Sequence, residues 1–506
     1  MVYLGEMKFR SAGVATLSLI LVTMALPAVA APDTPVAKGS WSMVPQSKDA
    51  NGDGFIDGDG GVPRTGALSS QPSPNFVGAG NFVAQPNERL IDGTLSWYLD
   101  PKGYPVQLNA CESQGTEYAW RVKRDGLVVS TTNSRPLTEK TCRTKVVLPE
   151  GAHEFTLIVR SGNAKAQSSI AANVNNLLMV VMGDSYASGE GNPRNIKAWN
   201  NIITAFTPYW DQDRCNRSAR GGPAQAALAL EQSSPRTSVT LVYVACSGAT
   251  VDRGILGAQS AEGVTASQIE QVRSLIGTRG IDILTLSIGG NDIGFSSVIT
   301  TCAIAVNCPT VKAPFPPLSA FPNIQAGLQT KIAELPAAYA RIAPCFGGPC
   351  TLVNGASSPG LRMSAGASVL PTPYPDITRA ADGAACTYLS LNQADFKWAR
   401  DTILTPTAPN PYQYQSTRGQ SLALPTGSGT LNGAIFGTAG ALGWNPIAGI
   451  WGASGDSKAG HGVCAGEKSW VFGFAGFSGF NSGSFHPNVR GQEVIGREIA
   501  KALGVK

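Results

Sequence analysis

Three predominantly apolar runs, at residues 177–182, 239–245 (broken by Thr240) and 281–288 (broken by Asp282, Thr285 and Ser287), each end in small polar residues. The first ends in Gly183-Asp184-Ser185, the second in Cys246-Ser247-Gly248 and the third in Gly289-Gly290-Asn291-Asp292. A strand with one wet face alternates apolar and polar residues, whereas a run without alternation suits a parallel strand buried on both faces. Amphipathic helical patterns at 223–232, 265–276 and 325–342 fall between or after these runs, and another at 488–503 follows His486-Pro487. Strands alternating with helices predict an α/β fold with an open parallel sheet and its chemistry at the carboxyl ends of the strands. All three polar motifs lie at such ends.

The chain is longer than this unit requires. Its 506 residues exceed the roughly 250–300 at which a single core stops growing. From about residue 89 to 175 the pattern changes to short alternating runs, such as Tyr118-Ala119-Trp120-Arg121-Val122 and residues 155–159. Turns such as Arg124-Asp125-Gly126 and Pro149-Glu150-Gly151 separate them. This predicts a small all-β, sandwich-like accessory domain, leaving 176–506 for the α/β unit. Cys111, Trp120 and Cys142 are spaced too loosely for a true immunoglobulin domain.

Residues 31–88 are rich in Gly, Pro, Ser and Asn and read as a polar linker. Within it, Asp49, Asn51, Asp53 and Asp57, with Gly54 at the sixth place, follow the spacing of a calcium loop. The twelfth place is Gly60, where a bidentate carboxylate is wanted, with Asp59 one residue early. Any calcium here is expected to be structural, and no cofactor is expected for catalysis. Ahead of the linker, Lys8 and Arg10 precede an uncharged stretch with an apolar centre at 14–26 and the small-residue site Ala28-Val29-Ala30. That is the layout of a secretory signal peptide over residues 1–30. No other segment is long and apolar enough to cross a bilayer, so a secreted or extracytoplasmic protein without a stable span is expected.

The ten cysteines fit export, where disulfides are the default. Their neighbours suggest Cys111 with Cys142, Cys215 with Cys246, Cys302 with Cys308, Cys345 with Cys350, and Cys386 with Cys464. The net charge of +5, with 14% charged residues and no basic run, argues against a nucleic-acid partner.

A serine placed directly after a buried strand presents its hydroxyl at the sheet edge, but it needs a base to act as a nucleophile. The chain has only three histidines. His153 falls in the β-domain and is expected at its surface. His461 lies beside Cys464. His486 stands just before the terminal helical pattern, at the rim of the sheet, and is the best partner for Ser185. Acyl transfer also requires donors for a developing oxyanion, and Gly248 (backbone N–H) and Asn291 (side-chain amide) are placed to supply them.

These four blocks, in this order, resemble the SGNH (GDSL) hydrolase superfamily, and the run Gly183-Asp184-Ser185-Tyr186-Ala187-Ser188-Gly189-Glu190-Gly191 with Cys246-Ser247-Gly248-Ala249 is most similar to its exported lipases and esterases. The resemblance covers about residues 177–506. It implies a three-layer α/β/α sandwich around a parallel sheet of about five strands. It also implies Ser185 as nucleophile, His486 as base, and an oxyanion hole of Ser185 N–H, Gly248 N–H and the Asn291 amide. One departure stands out. Many members carry an aspartate three residues before the histidine, and here that residue is Gly483. The backbone carbonyl of Gly483 or Ser484 is then the candidate orienter, with Asp456, Asp376 and Asp292 as weaker acids. The expected activity is hydrolysis of a carboxylic ester, on a lipid or an acylated small molecule. The competing readings are a carbohydrate O-deacetylase using exposed Trp444 and Trp451, and a non-enzymatic, calcium-stabilised surface protein. The segment 405–466 is expected to be an insertion over the site.

Overall fold

The computed structural model describes residues 34–47, 49, 51–56, 90–91, 94–95, 103–193, 210–260, 263–406, 410–415, 421–426, 429–455, 460–474 and 483–505. The expected signal peptide, most of the linker with Asp57, and Asp456 lie outside the described residues.

The all-β part consists of two antiparallel sheets. One contains β1 (Ser40–Met43), β2 (Tyr104–Asn109) and the later strand Arg143–Leu148. The other is built from β3 (Glu117–Arg124), β4 (Leu127–Thr131) and the long hairpin Gly151–Ser161 with Ala164–Gly183. With β5 for Arg143–Leu148, β6 for Gly151–Ser161 and β7 for Ala164–Gly183, the facing side chains Trp41, Leu108, Trp120, Leu148, Phe155 and Leu157 form one apolar cluster between the sheets. The tight β3–β4 turn uses Asp125 and Gly126, both at positive φ, as two-residue hairpins require. Cys111 and Cys142 are joined across this domain. His153, expected at the surface, is instead buried, with its ring tilted against Phe155 and Nδ1 2.9 Å from the Gly151 carbonyl. It occupies an inward position of an alternating strand, and the neighbouring turn misled the expectation.

Strand β7 runs for 20 residues without a break, and its burial pattern changes along its length. Its first half alternates and pairs antiparallel with β6 over Ala164–Val174. Its second half is continuously buried from Leu178 and pairs in parallel with β8 (Thr237–Tyr243) on one side and β9 (Ile281–Ser287) on the other. Strand β10 (Met363–Pro371) adds in parallel beyond β9. The order β8-β7-β9-β10 gives four parallel strands among the described residues, where about five were expected. β10 did not stand out in the sequence because its first half is small and half-exposed.

Asn176 marks the changeover in β7. Its amide donates to Ser238 Oγ (2.7 Å), its side-chain carbonyl accepts from Thr240 Oγ1 (2.8 Å) and Arg279 (3.0 Å), and its N–H donates to Glu150 of the β-domain (3.0 Å). Arg279 also lies over the Tyr104 ring. A polar residue is stable in this buried place because its hydrogen-bonding atoms are used.

Helices complete the three-layer α/β/α arrangement. α2 (Gly222–Gln232) packs with the terminal α9 (Val489–Ala502), and α5 (Ile324–Ile342) packs with α7 (Leu431–Leu442). The intervening helices are α3 (Gln268–Ile276), opened by a capping box of Ser267 and Glu270, α4 (Phe295–Cys302) and α6 (Gln393–Ala399). α8 is Ala448–Gly455. Each of the four patterns read as helical corresponds to a helix within three residues. Trp444 and Trp451 are buried in the main core, so they do not form the exposed sugar platform considered above. All five cysteine pairs form as their neighbours suggested. No helix among the described residues is long and apolar enough to cross a membrane.

The loop at 49–56 folds on its own backbone. Asp49 accepts the N–H groups of Asp53 and Gly54, both at 3.0 Å, and Asp53 accepts that of Phe55. Phe55 then packs on Phe472 and Val489, and Ile56 enters the main core. Among the described residues no group of three or more acidic, histidine or cysteine side chains is arranged to hold a metal ion. The fourth expected calcium ligand, Asp57, lies outside them.

Candidate active site

The strand order itself creates the site. β7 leads to its two neighbours in opposite directions, and such a switch point opens a crevice at the carboxyl ends. Ser185 follows β7, Gly248 follows β8 and Asn291 follows β9. Residues 43 to 106 positions apart in sequence therefore come to one sheet edge because their strands are adjacent.

Ser185 opens the four-residue helix α1 (Ser185–Ser188), capped by Asp184, whose carboxylate accepts the Tyr186 N–H. The turn before it depends on Gly183, at φ +135°. A β-carbon there would lie 2.1 Å from the carbonyl oxygen of Ser287. That carbonyl instead accepts the N–H of Asp184 at 2.8 Å, fixing the Ser185 turn to the end of β9.

His486 reaches the same point from the loop before α9. Its Nε2 lies 2.8 Å from Ser185 Oγ, and its Nδ1 lies 2.9 Å from the carbonyl oxygen of Ser484. Gly483 holds a different place, accepting the His486 N–H at 3.2 Å. Of the two candidate carbonyls, only that of Ser484 faces the imidazole. Between them Phe485 has φ +59°, a conformation non-glycine residues adopt at a cost. It is held by burial and by Tyr186, whose hydroxyl donates to the Phe485 carbonyl at 2.8 Å. Asn192 adds a second tie, donating to the Pro487 carbonyl at 2.7 Å.

The other two histidines and the alternative acids lie elsewhere. His461 stacks flat on Trp470 with ring centroids 3.6 Å apart. Asp376 is buried between Arg400 (3.0 Å) and Arg379 (3.3 Å). Asp292 accepts the Val251 N–H at 3.0 Å, and Asn291 donates to the Ala249 carbonyl at 3.0 Å. These two bonds lock the Asn291 and Gly248 turns together and leave the second amide hydrogen of Asn291 free to meet a ligand. Gly248 sits at φ +77°, which suits glycine, and the Cys215–Cys246 bridge anchors the turn two residues before it.

The sequence reading missed three polar residues. Glu190 is buried with Oε2 3.7 Å from His486 Nε2, and it accepts the Ser247 hydroxyl and, at 3.3 Å, the Asn216 amide. Its place in Gly189-Glu190-Gly191 was the available signal. Tyr374 donates its hydroxyl to Asp184 and accepts the Gly290 N–H at 2.8 Å, so it joins the Ser185 turn to the Asn291 turn. Tyr186 buttresses the histidine as described. Tyr186 was visible only as a member of the Gly183–Gly191 run, and Tyr374 had no readable sequence signal.

Burial pushes Asp184 up to about 7 from an ordinary value of 3.8, against the opposing pull of its bonds to Tyr374, Tyr186 and Ser287. The folded state therefore holds this proton over a range in which the unfolded chain has lost it. The stabilising contribution is complete below about pH 4 and is lost as pH rises through about 7. Glu231 and Asp292, raised by burial to about 7 and about 6, act in the same direction. Thermal unfolding followed from pH 4 to 8 should show Asp184→Asn with a shallower decline in Tm than the parent. Parallel curves would reject this account of Asp184.

The similarity of this layout to known proteins is partial. No protein-family model matches the chain. A lipase of Streptomyces rimosus is 31% identical over 123 residues, which are 24% of this chain and 33% of that lipase. The chain thus matches about a third of the length of this curated relative. The crystal structure of an extracellular lipase from Streptomyces rimosus aligns over 65% of this chain and 100% of its own, at 18% identity and a TM-score of 0.37. An active-site mutant of a family two carbohydrate esterase from Clostridium thermocellum aligns over 80% of this chain and 93% of its own, at 12% identity and a TM-score of 0.28. The four sequence blocks thus lie at successive strand ends and in the loop before α9, and one segment of the chain is similar to that lipase.

Proposed function

We propose that the protein is an exported serine ester hydrolase that works through an acyl-enzyme on Ser185. The observation that carries this reading is the 2.8 Å approach of His486 Nε2 to Ser185 Oγ, with Nδ1 held by the Ser484 carbonyl. The Ser484 carbonyl fixes the tautomer in which Nδ1 carries the proton and Nε2 is the base. Ser185 Oγ attacks the ester carbonyl carbon as its proton passes to Nε2. The oxyanion is received by the N–H groups of Ser185 and Gly248 and by the Asn291 amide. The imidazolium returns its proton to the departing alkoxide, and the same base then activates water to release the acid. A backbone carbonyl gives the imidazolium no full counter-charge. Glu190, 3.7 Å from Nε2, supplies one.

Asn291→Ala should lower kcat by about 10²–10³-fold with little change in KM, as removal of an oxyanion donor does. Steady-state kinetics on p-nitrophenyl esters measure this, and an unchanged kcat would remove Asn291 from the hole. Covalent labelling of Ser185 by a fluorophosphonate separates an ester hydrolase from a non-catalytic scaffold of the same fold. The signal-like leader and the five disulfides support a site of action outside the cytoplasm.

A further inference from the structure

We infer that Glu190 is a positioning residue for the base: held as an anion between the Ser185 and Gly248 turns, it supports the imidazolium of His486 from the Nε2 side, as Gly483, having no side chain, cannot from the Nδ1 side. This rests on the ester-hydrolase reading above and deepens it, giving the charge near His486 a built mounting and a kinetic signature.

Glu190 stands five residues after the serine on the same tight turn, and its N–H donates to the Ser185 carbonyl at 3.1 Å. A glycine flanks it on each side. Gly189, at φ +83°, closes α1, and a β-carbon there would lie 2.8 Å from the Gly221 α-carbon. Gly191, at φ +91°, lets the chain pass close to the His486 loop: a β-carbon there would lie 3.1 Å from the Phe472 ring and 3.4 Å from the His486 β-carbon. The two glycines thus bring the carboxylate to the imidazole, with Oε2 3.7 Å from Nε2.

The remaining contacts come from the residues that follow the two halves of one disulfide. Cys215 precedes Asn216, Cys246 precedes Ser247, and the two cysteines are bridged. The Ser247 N–H also donates to the Cys215 carbonyl at 3.1 Å. Ser247 gives its hydroxyl to Oε2, and Asn216, at φ +47°, gives its amide to Oε1 at 3.3 Å. No lysine or arginine is in ion-pair contact with Glu190 among the described residues, and His486 is the group beside it that can become a cation. A carboxylate accepts about four hydrogen bonds, so two neutral donors leave this buried one short of compensation. A positive imidazolium completes it. That cation forms when Ser185 Oγ bonds the ester carbon and its proton moves to Nε2. Glu190 takes no proton itself; it lowers the energy of the charged state that the step creates. Because Ser247 adjoins Gly248, the same carboxylate ties the base to the oxyanion turn.

Glu190→Gln keeps the shape and an acceptor for Ser247 but removes the charge. Substrate binding does not require the imidazolium, so kcat on p-nitrophenyl acetate should fall by about 10–100-fold with KM near that of the parent. The acid limb of the kcat/KM profile should move to lower pH by about one unit, because an imidazole without a neighbouring anion gives up its proton more readily. Two other titratable groups lie by this ring. Tyr186 has its ring centroid 5.1 Å from that of His486, and Asp184 is turned to Tyr374 and Ser287. Both stay in the variant, so the difference between the two profiles belongs to Glu190. Glu190→Asp keeps the charge but draws it back by one methylene, and its limb should move the same way by less. The position of a limb does not depend on the fraction folded, and if Glu190→Gln yields no folded protein the Glu190→Asp limb decides in the same sense. A limb that stays in place or moves to higher pH, or an unchanged kcat, overturns the inference and leaves the hydrolase reading standing, with Glu190 only a tie between turns. If the parent turns over no ester and Ser185 resists fluorophosphonate, both readings fall together.

Discussion

Ser185→Ala should cut ester turnover by on the order of 10⁴–10⁶-fold while leaving the thermal unfolding midpoint close to that of the parent. The side chain is small, and its described partner is His486, which keeps its bond to the Ser484 carbonyl when the hydroxyl is gone. His486→Ala should cost a similar factor, and the double variant little more than either single one, because two groups that act as a unit are lost only once. Hydrolysis of a short p-nitrophenyl ester, with unfolding curves on the same preparations, measures both quantities. Comparable turnover in Ser185→Ala would end the acyl-enzyme proposal.

The second large effect is on stability. Gly183→Ala places a β-carbon 2.1 Å from the Ser287 carbonyl oxygen at a residue with φ +135°. Neither atom has somewhere to go, since that carbonyl also receives the Asp184 N–H across two buried strands. The expected cost is about 4 kcal/mol or more, seen as a fall in Tm or as failure to accumulate folded protein. Gly366→Ala is the matched control: φ there is +78°, but nothing lies within 4 Å of the added carbon. It should cost only about 1 kcal/mol. Equal effects at the two positions would show that close packing at Gly183 is not what the glycine serves.

The α/β half of the fold was legible because burial leaves a mark on composition. Three predominantly apolar runs named β7, β8 and β9, and the polar residues that follow them named Ser185, Gly248 and Asn291. His486 was readable by scarcity, being one of three histidines and the one before a terminal helix. Other features left no comparable mark. Strand β10 begins in small, half-exposed residues, and α7 is apolar nearly all round, so neither carries a clear period. Tyr374 and Glu190 act through contacts made across the fold, and nothing in their immediate sequence announces the partner. His153 failed for the reverse reason: local turn residues suggested exposure, while the strand's pleat turned it inward.

The unbroken course of β7 has a mechanical consequence. Twenty extended residues at about 3.3 Å each make a lever arm of roughly 60 Å. It runs from the hairpin beside Ser161 to the threshold of Ser185. The Asn176 knot clamps this arm at its fulcrum. The outer end of the β-domain is thereby held at a set distance and bearing from Ser185, as a tool head is held by its shank.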